Sequence, residues 1–198
     1  MTDQDFLDRA NITVFKGEIK NIDTQKKEIS LKGVSGKIPF DKLLVAWGSF
    51  KKRLNKDYSN VFYLEDRYAH AKCHNDILKA NKIVVFGSTM DAYQVASSMR
   101  EYLNSIGYNK TEVIILHEGK SEIAKNMGDT VSSAIEDMLR KQGVCVIEAE
   151  SVYQIKGEYK VDEIHFRRRT QGNGDPLGTR YFIKPDVVVV EDGVGAPR

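Results

Sequence analysis

The sequence holds only two cysteines in 198 residues, Cys73 and Cys145, and they stand in neither a CxxC nor a metal-ligand spacing. That argues against a disulfide framework and against a zinc site. Free thiols suit a reducing compartment, cytosol or mitochondrial matrix, and not secretion. No apolar run approaches the roughly 20 residues that a membrane-spanning helix needs. Net charge is also scarce. The formal value is +2, so the concentrated basic face that nucleic acid demands is not expected. The one dense basic run, Arg167-Arg168-Arg169, continues the strand-like Ile164-His165-Phe166. It reads most simply as a solvated edge, with a partner's acidic patch as the other reading. The start, Met1 to Arg9, carries three aspartates and one arginine, which resembles neither a signal peptide nor a typical transit peptide.

What is present is 41% hydrophobic and 29% charged, the balance of a globular protein. The length suffices for one sizeable domain, or for one and part of a second. Residues 11–45 read as strands. Ile12, Val14 and Phe15, then Ile19 and Ile22, precede a turn at Asp23-Thr24-Gln25-Lys26; Ile29 and Leu31 follow with period-2 spacing. Lys42-Leu43-Leu44-Val45-Ala46 reads as a short buried strand, and residues 50–60 as a connector. Asp66 is placed to cap a helix running to about Lys79.

From there strands and helices alternate. Lys82-Ile83-Val84-Val85-Phe86 is a buried strand that ends in Gly87. Ala92, Val95, Ala96, Met99 and Leu103 then line one helix face. Val113-Ile114-Ile115-Leu116 is a second strand. Asp129 or Thr130 caps a helix whose apolar face is Val131, Ala134, Ile135, Met138 and Leu139. Gly143 stops it, and Val144-Cys145-Val146-Ile147 is a third strand. The unit is βαβαβ, the parallel core of a doubly wound, Rossmann-like α/β fold. Residues 152–184 return to period 2, with turns at Lys156-Gly157-Glu158 and Gly172-Asn173-Gly174-Asp175, an antiparallel meander laid on the sheet. Asp186 to Val190 is a final strand that returns to the parallel sheet, ending at Gly193. Residues 1–60 are therefore expected as antiparallel strands with a connector, and residues 61–198 as the nucleotide-binding-like domain.

The chemistry-bearing motif is Gly87-Ser88-Thr89-Met90-Asp91-Ala92, at the point where a dinucleotide pyrophosphate meets a helix N-terminus. Against G-x-G-x-x-G/A, Gly87 keeps the tight turn and Ala92 the close helix packing. Thr89 replaces the glycine that lets backbone approach phosphate. Asp91 reads either as a helix-start acid or as a carboxylate filling the anion site. Glu118, 31 positions after Gly87, is a candidate for the adenine ribose hydroxyls or an exposed loop acid. His70 and His74, spaced i and i+4, read as a solvent-facing pair, and no nucleophile motif emerges.

Read in order, Ile38 to Ser49, Asn60 to Leu64, the Gly87 loop, Lys141 to Val146 and Asp186 to Pro197 resemble the pyridine nucleotide-disulfide oxidoreductase superfamily. The tract Lys125-Asn126-Met127-Gly128 and the absent redox cysteine pair make the chain most similar to its apoptosis-inducing-factor-like members. The resemblance implies FAD in one domain, NAD(H) in another, and hydride passed between them. It also implies a mitochondrial setting. On it, residues 1–60 are a remnant of flavin-domain strands, and Gly87, Ser88, Thr89, Ala92, Gln94, Glu118 and Gly193 are the cofactor-binding positions. The family's A-T-G is here Ala46-Trp47-Gly48. Its helix acid is Gln94, and His117 stands at the strand end where it carries its ribose acid. No first glycine loop for FAD is found, so the lone chain is expected to hold no FAD and to bind NAD(H) weakly. A protein partner is expected to cover the incomplete flavin-domain side. Three roles follow: a degenerate oxidoreductase domain kept as a structural or accessory subunit, the NAD(H)-binding half of a working reductase, or a non-catalytic nucleotide-binding module.

Overall fold

The computed structural model of the chain describes residues 7, 9–46, 48, 50–65, 67–168 and 179–195. Two compact units divide it, residues 1–47 and residues 48–198.

In the first unit, β1 (Ile19–Asp23), β2 (Glu28–Leu31) and β3 (Lys37–Pro39) form an antiparallel sheet in that order. Asp23 makes the β1–β2 turn: its Oδ1 accepts from the backbone N–H of Gln25 at 3.1 Å and of Lys26 at 2.9 Å, a side chain standing in for a backbone turn bond. Two sequence expectations fail here. Ile12 to Phe15 form no strand, and Lys42 to Ala46 are neither strand nor buried, with Leu44 90% exposed. Among the described residues no strand pairs with either segment, so apolar character alone did not make a ladder.

The second unit runs β4 (Phe50–Lys51), β5 (Val61–Phe62), α1 (Arg67–Ile77), β6 (Lys82–Phe86), α2 (Met90–Ser105), β7 (Glu112–Glu118), α3 (Glu122–Met127), α4 (Asp129–Gln142), β8 (Val144–Lys156), β9 (Glu163–Arg168), β10 (Arg180–Ile183), β11 (Val187–Val190) and β12 (Val194–Gly195). Seven strands share one sheet in the order β10-β9-β8-β7-β6-β11-β5, parallel from β8 to β5 and antiparallel at β9 and β10. β5 is a strand that sequence reading passed over: two residues are too few for a period. Asp66 and the expected turn at 172–175 lie outside the described residues.

Alternation along the parallel strands divides the core into two layers. Ile83, Val85, Val113, Ile115, Val187 and Val189 pack against Cys73 and Ile77 of α1, Ala92, Ala96 and Leu103 of α2, and Leu139 of α4. Val84, Ile114, Leu116, Val188 and Val190 face the opposite way, onto Ile164, Phe166 and Ile183 of the meander. Helices therefore cover one face and antiparallel strands the other. β8 serves both layers. Its first half pairs parallel with β7, and its second half pairs antiparallel with β9 through two register shifts. The bulges let the strand bend over the sheet.

The cap of α4 departs from expectation. Gly128 is the N-cap, and the extra helix α3 precedes it with Ser121 as its own cap. Asp129 is the first helical residue and pairs with Lys120 at 2.8 Å. The face of α4 that reaches the core carries Ser132 and Leu139, while Val131, Ala134 and Met138 are exposed. Ile135 also packs against the core, so the expected stripe is met in Ile135 and Leu139 but not in the other three positions.

Candidate functional site

The site begins where β6 becomes α2. Gly87 sits at φ +153°, and a Cβ there would lie 2.2 Å from the carbonyl oxygen of Glu191. The glycine is required because the loop after β11 crosses directly over this turn. One backbone bond holds the crossing, Glu191 N–H to Phe86 O at 2.8 Å, and Gly87 N–H is tied to β7 by donating to Leu116 O at 3.1 Å.

Thr89 is the N-cap of α2, and its hydroxyl turns inward. Oγ1 accepts from Ala92 N–H at 3.2 Å and donates to the Glu191 carbonyl at 2.8 Å. The helix start is thereby satisfied from within the chain, an arrangement worth about 1 kcal/mol. The Thr89 methyl points toward Gly193, whose added Cβ would meet it at 3.7 Å. Ser88 contributes its carbonyl, which accepts from Glu122 N–H at 2.9 Å and fixes the start of α3 beside the loop. Gly87, Ser88, Thr89, Ala92 and Gly193 thus converge.

Glu191, which sequence reading did not single out, lies just behind. Its carboxylate pairs with Lys51, with side-chain exposures of 3% and 17%. Lys52 N–H donates to Gly193 O at 3.2 Å, and β12 pairs with β4, so two separate stretches of chain are tied at this corner. The only sequence signal was a carboxylate directly after the four valines of β11.

In front, a cavity of about 340 Å³ is lined by Lys52, Thr89, Met90, Asp91, Glu122 and Gly193. A helix N-terminus favours an anion there. The charges oppose one: Asp91 and Glu122 are carboxylates against the single cation Lys52. With the Ala92 N–H already bonded to Thr89, these residues do not fit a pyrophosphate well.

The remaining expected positions are not brought to this mouth. Gln94 is exposed in a groove between α2 and α4, beside Met138 and Gln142. Glu118 faces a separate cleft of about 360 Å³ with Arg53, Lys56 and Tyr58, where its carboxylate accepts the backbone N–H of Val152. His117 is buried, its Nδ1–H donating to Gly119 O at 2.8 Å, with Tyr93 Oη 3.4 Å from its Nε2. Tyr93 lies 3.4 Å from Glu136 as well, and burial pushes its hydroxyl up to about 12, so it stays protonated as a donor. The strand end where the resemblance implies a ribose acid therefore holds a buried histidine engaged with Gly119 and Tyr93. His74 contacts Tyr102 Oη at 2.8 Å, and among the described residues no group of three His, Cys, Asp or Glu could hold a metal ion. No helix among them is long and apolar enough to cross a membrane.

Residues 6–198 match the family described as pyridine nucleotide-disulphide oxidoreductase. Over its whole length the chain is 23% identical to the assimilatory nitrate reductase electron transfer subunit of Bacillus subtilis, of which it spans 25%. Among solved structures it is similar to the ferredoxin reductase for the CYP199A2 system from Rhodopseudomonas palustris (TM-score 0.75, 18% identity, 98% of this chain and 44% of that one). It is also similar to a NAD-dependent persulfide reductase from A. fulgidus (TM-score 0.70, 22% identity, 96% and 33%). The chain spans about a quarter of the curated relative and under half of the structures, and the likeness to the structures is one of fold.

Proposed function

Because this chain belongs to the pyridine nucleotide-disulphide oxidoreductase family, we propose that it is an oxidoreductase domain whose nucleotide loop has closed on itself, serving as a structural or accessory part of an electron-transfer assembly. One observation carries the reading. Thr89 occupies the position of the phosphate-approach glycine and spends its hydroxyl on Ala92 N–H and Glu191 O. The acids Asp91 and Glu122 at the mouth add to it. By Coulomb's law two like charges about 4 Å apart at an effective dielectric near 20 repel by roughly 4 kcal/mol before solvent and salt screening, and an exposed Asp91 retains only part of that. The exposed apolar side chains Val14, Phe15 and Leu44 of the first unit support a protein partner over that unit. The lone chain carries no flavin on this reading; stoichiometric FAD released from the denatured chain would refute that part.

The test is calorimetric titration of NADH into the full chain and into Thr89→Gly, Asp91→Asn and the double variant. Glycine is nearly as good an N-cap as threonine, so the helix survives the first change. We expect weak or undetectable binding by the unmodified chain and tightening of at least about tenfold in the double variant, about 1.4 kcal/mol. Micromolar binding by the unmodified chain would instead favour the NAD(H)-binding half of a working reductase. The intact βαβαβ crossing at Gly87 and the names of the relatives support that second reading.

A further inference from the structure

The outward face of the meander carries a cluster that neither the core nor the helix mouth uses. Alternation sends Ile164, Phe166 and Ile183 inward, so His165, Arg167, Arg180 and Phe182 face out. Phe182 stands opposite His165, and Arg180 stands opposite Arg167, in the antiparallel register. Like charges directly opposed across two strands destabilise a sheet. Here both guanidinium groups lie over the Tyr153 ring, at 5.9 Å for Arg167 and 5.6 Å for Arg180. Tyr153, His165 and Phe182 form a continuous row, with ring centroids 6.0 and 5.7 Å apart. Phe182 is 56% exposed and Tyr153 40%. The neighbouring carboxylate is Glu163, already bonded to His165 at 2.7 Å and within 3.5 Å of Lys156 and Lys184. Among the described residues, no carboxylate pairs with Arg167 or Arg180, and both stand on an exposed aromatic floor.

We propose that this face docks an acidic protein surface, whose carboxylates bridge Arg167 and Arg180 while Tyr153 and Phe182 supply the apolar contact. A partner's carboxylates would relieve the opposed charges, and the guanidinium fork suits them. Exposed arginine beside aromatic rings is the composition of an interface centre. A single-stranded nucleic acid needs open ring faces to stack upon. These faces are engaged with one another, with Arg167 and Arg180, and with Lys184, which stands 5.6 Å from the Phe182 centroid. The proposal is independent of the nucleotide reading, since none of its residues lines the helix mouth.

The experiment measures binding of the full chain to immobilised poly-L-glutamate, and to oligo-dT of matched charge, by interferometry at about 0.15 M salt. Arg167→Glu with Arg180→Glu is expected to weaken poly-glutamate binding at least about tenfold, and Phe182→Ser several-fold. A control with the same charge change elsewhere, Lys79→Glu with Lys141→Glu, is expected to stay within about twofold. Should the reversed pair fail to fold by circular dichroism, Arg167→Gln with Arg180→Gln provides the reading, with a smaller loss expected. Equal losses in patch and control variants, no binding by the unmodified chain, or tighter binding to oligo-dT would each overturn the proposal.

Discussion

The strands of residues 19–39 interleave apolar with polar residues and those of residues 82–116 carry continuous apolar runs, and they end in opposite environments. Ile83, Val85 and Ile115 of the second unit are fully buried, whereas no described residue among 1–46 is. The sheet of the first unit has three short strands and two loose apolar segments. That of the second has helices on one face and a meander on the other. The difference teaches that a strand pattern states which side chains are available for burial. Burial itself needs a second layer at about 10 Å, supplied by another element.

The comparison can be broken or sharpened by substitution. The largest effect is expected at Ile115, where Ala removes a side chain sandwiched between α2 and the sheet: about 3–4 kcal/mol of stability, read from the urea midpoint. Next is Lys51→Met, which strands the buried Glu191 carboxylate beside the Gly87 crossing. A loss of about 2–3 kcal/mol is expected, tempered by the partial exposure of Lys51, and Glu191→Gln added to it should recover a good part. The smallest is Leu44→Ser in the first unit, expected within about 0.5 kcal/mol because the side chain is already in water. If Leu44→Ser proved as costly as Ile115→Ala in the isolated chain, the contrast between the units would collapse, and residues 42–46 would have to be covered in solution.

The nucleotide loop and the meander differ in the same instructive way. Gly87, Thr89 and Ala92 were legible as a glycine loop because their chemistry is local, set by a tight turn, a cap and a close packing distance. Local pattern marked Gly193 only as the residue ending a strand, and the family resemblance alone put it among the cofactor-binding positions. Its place beside Thr89 follows from β11 lying parallel to β6, which brings residues about a hundred positions apart into contact. Gln94 and Glu118 carry plausible residue types but open into other cavities, since the helix turns Gln94 away and the bulged β8 claims Glu118.

Local pattern by itself determined the three strands and two longer helices of residues 82–147, though not the short α3 between them, and the return of residues 186–190 to the parallel sheet. Short-range sterics and the two periodicities act within a few residues and are written in them directly. Only the tertiary structure decided that the Thr89 hydroxyl would reach the Glu191 carbonyl, that Lys51 would meet Glu191, and that Arg167 would stand opposite Arg180. The first two join segments more than a hundred positions apart, and the third joins two separate strands of the meander. The energy of each contact depends on strand register and on exclusion of water, neither of which exists until the sheet has assembled.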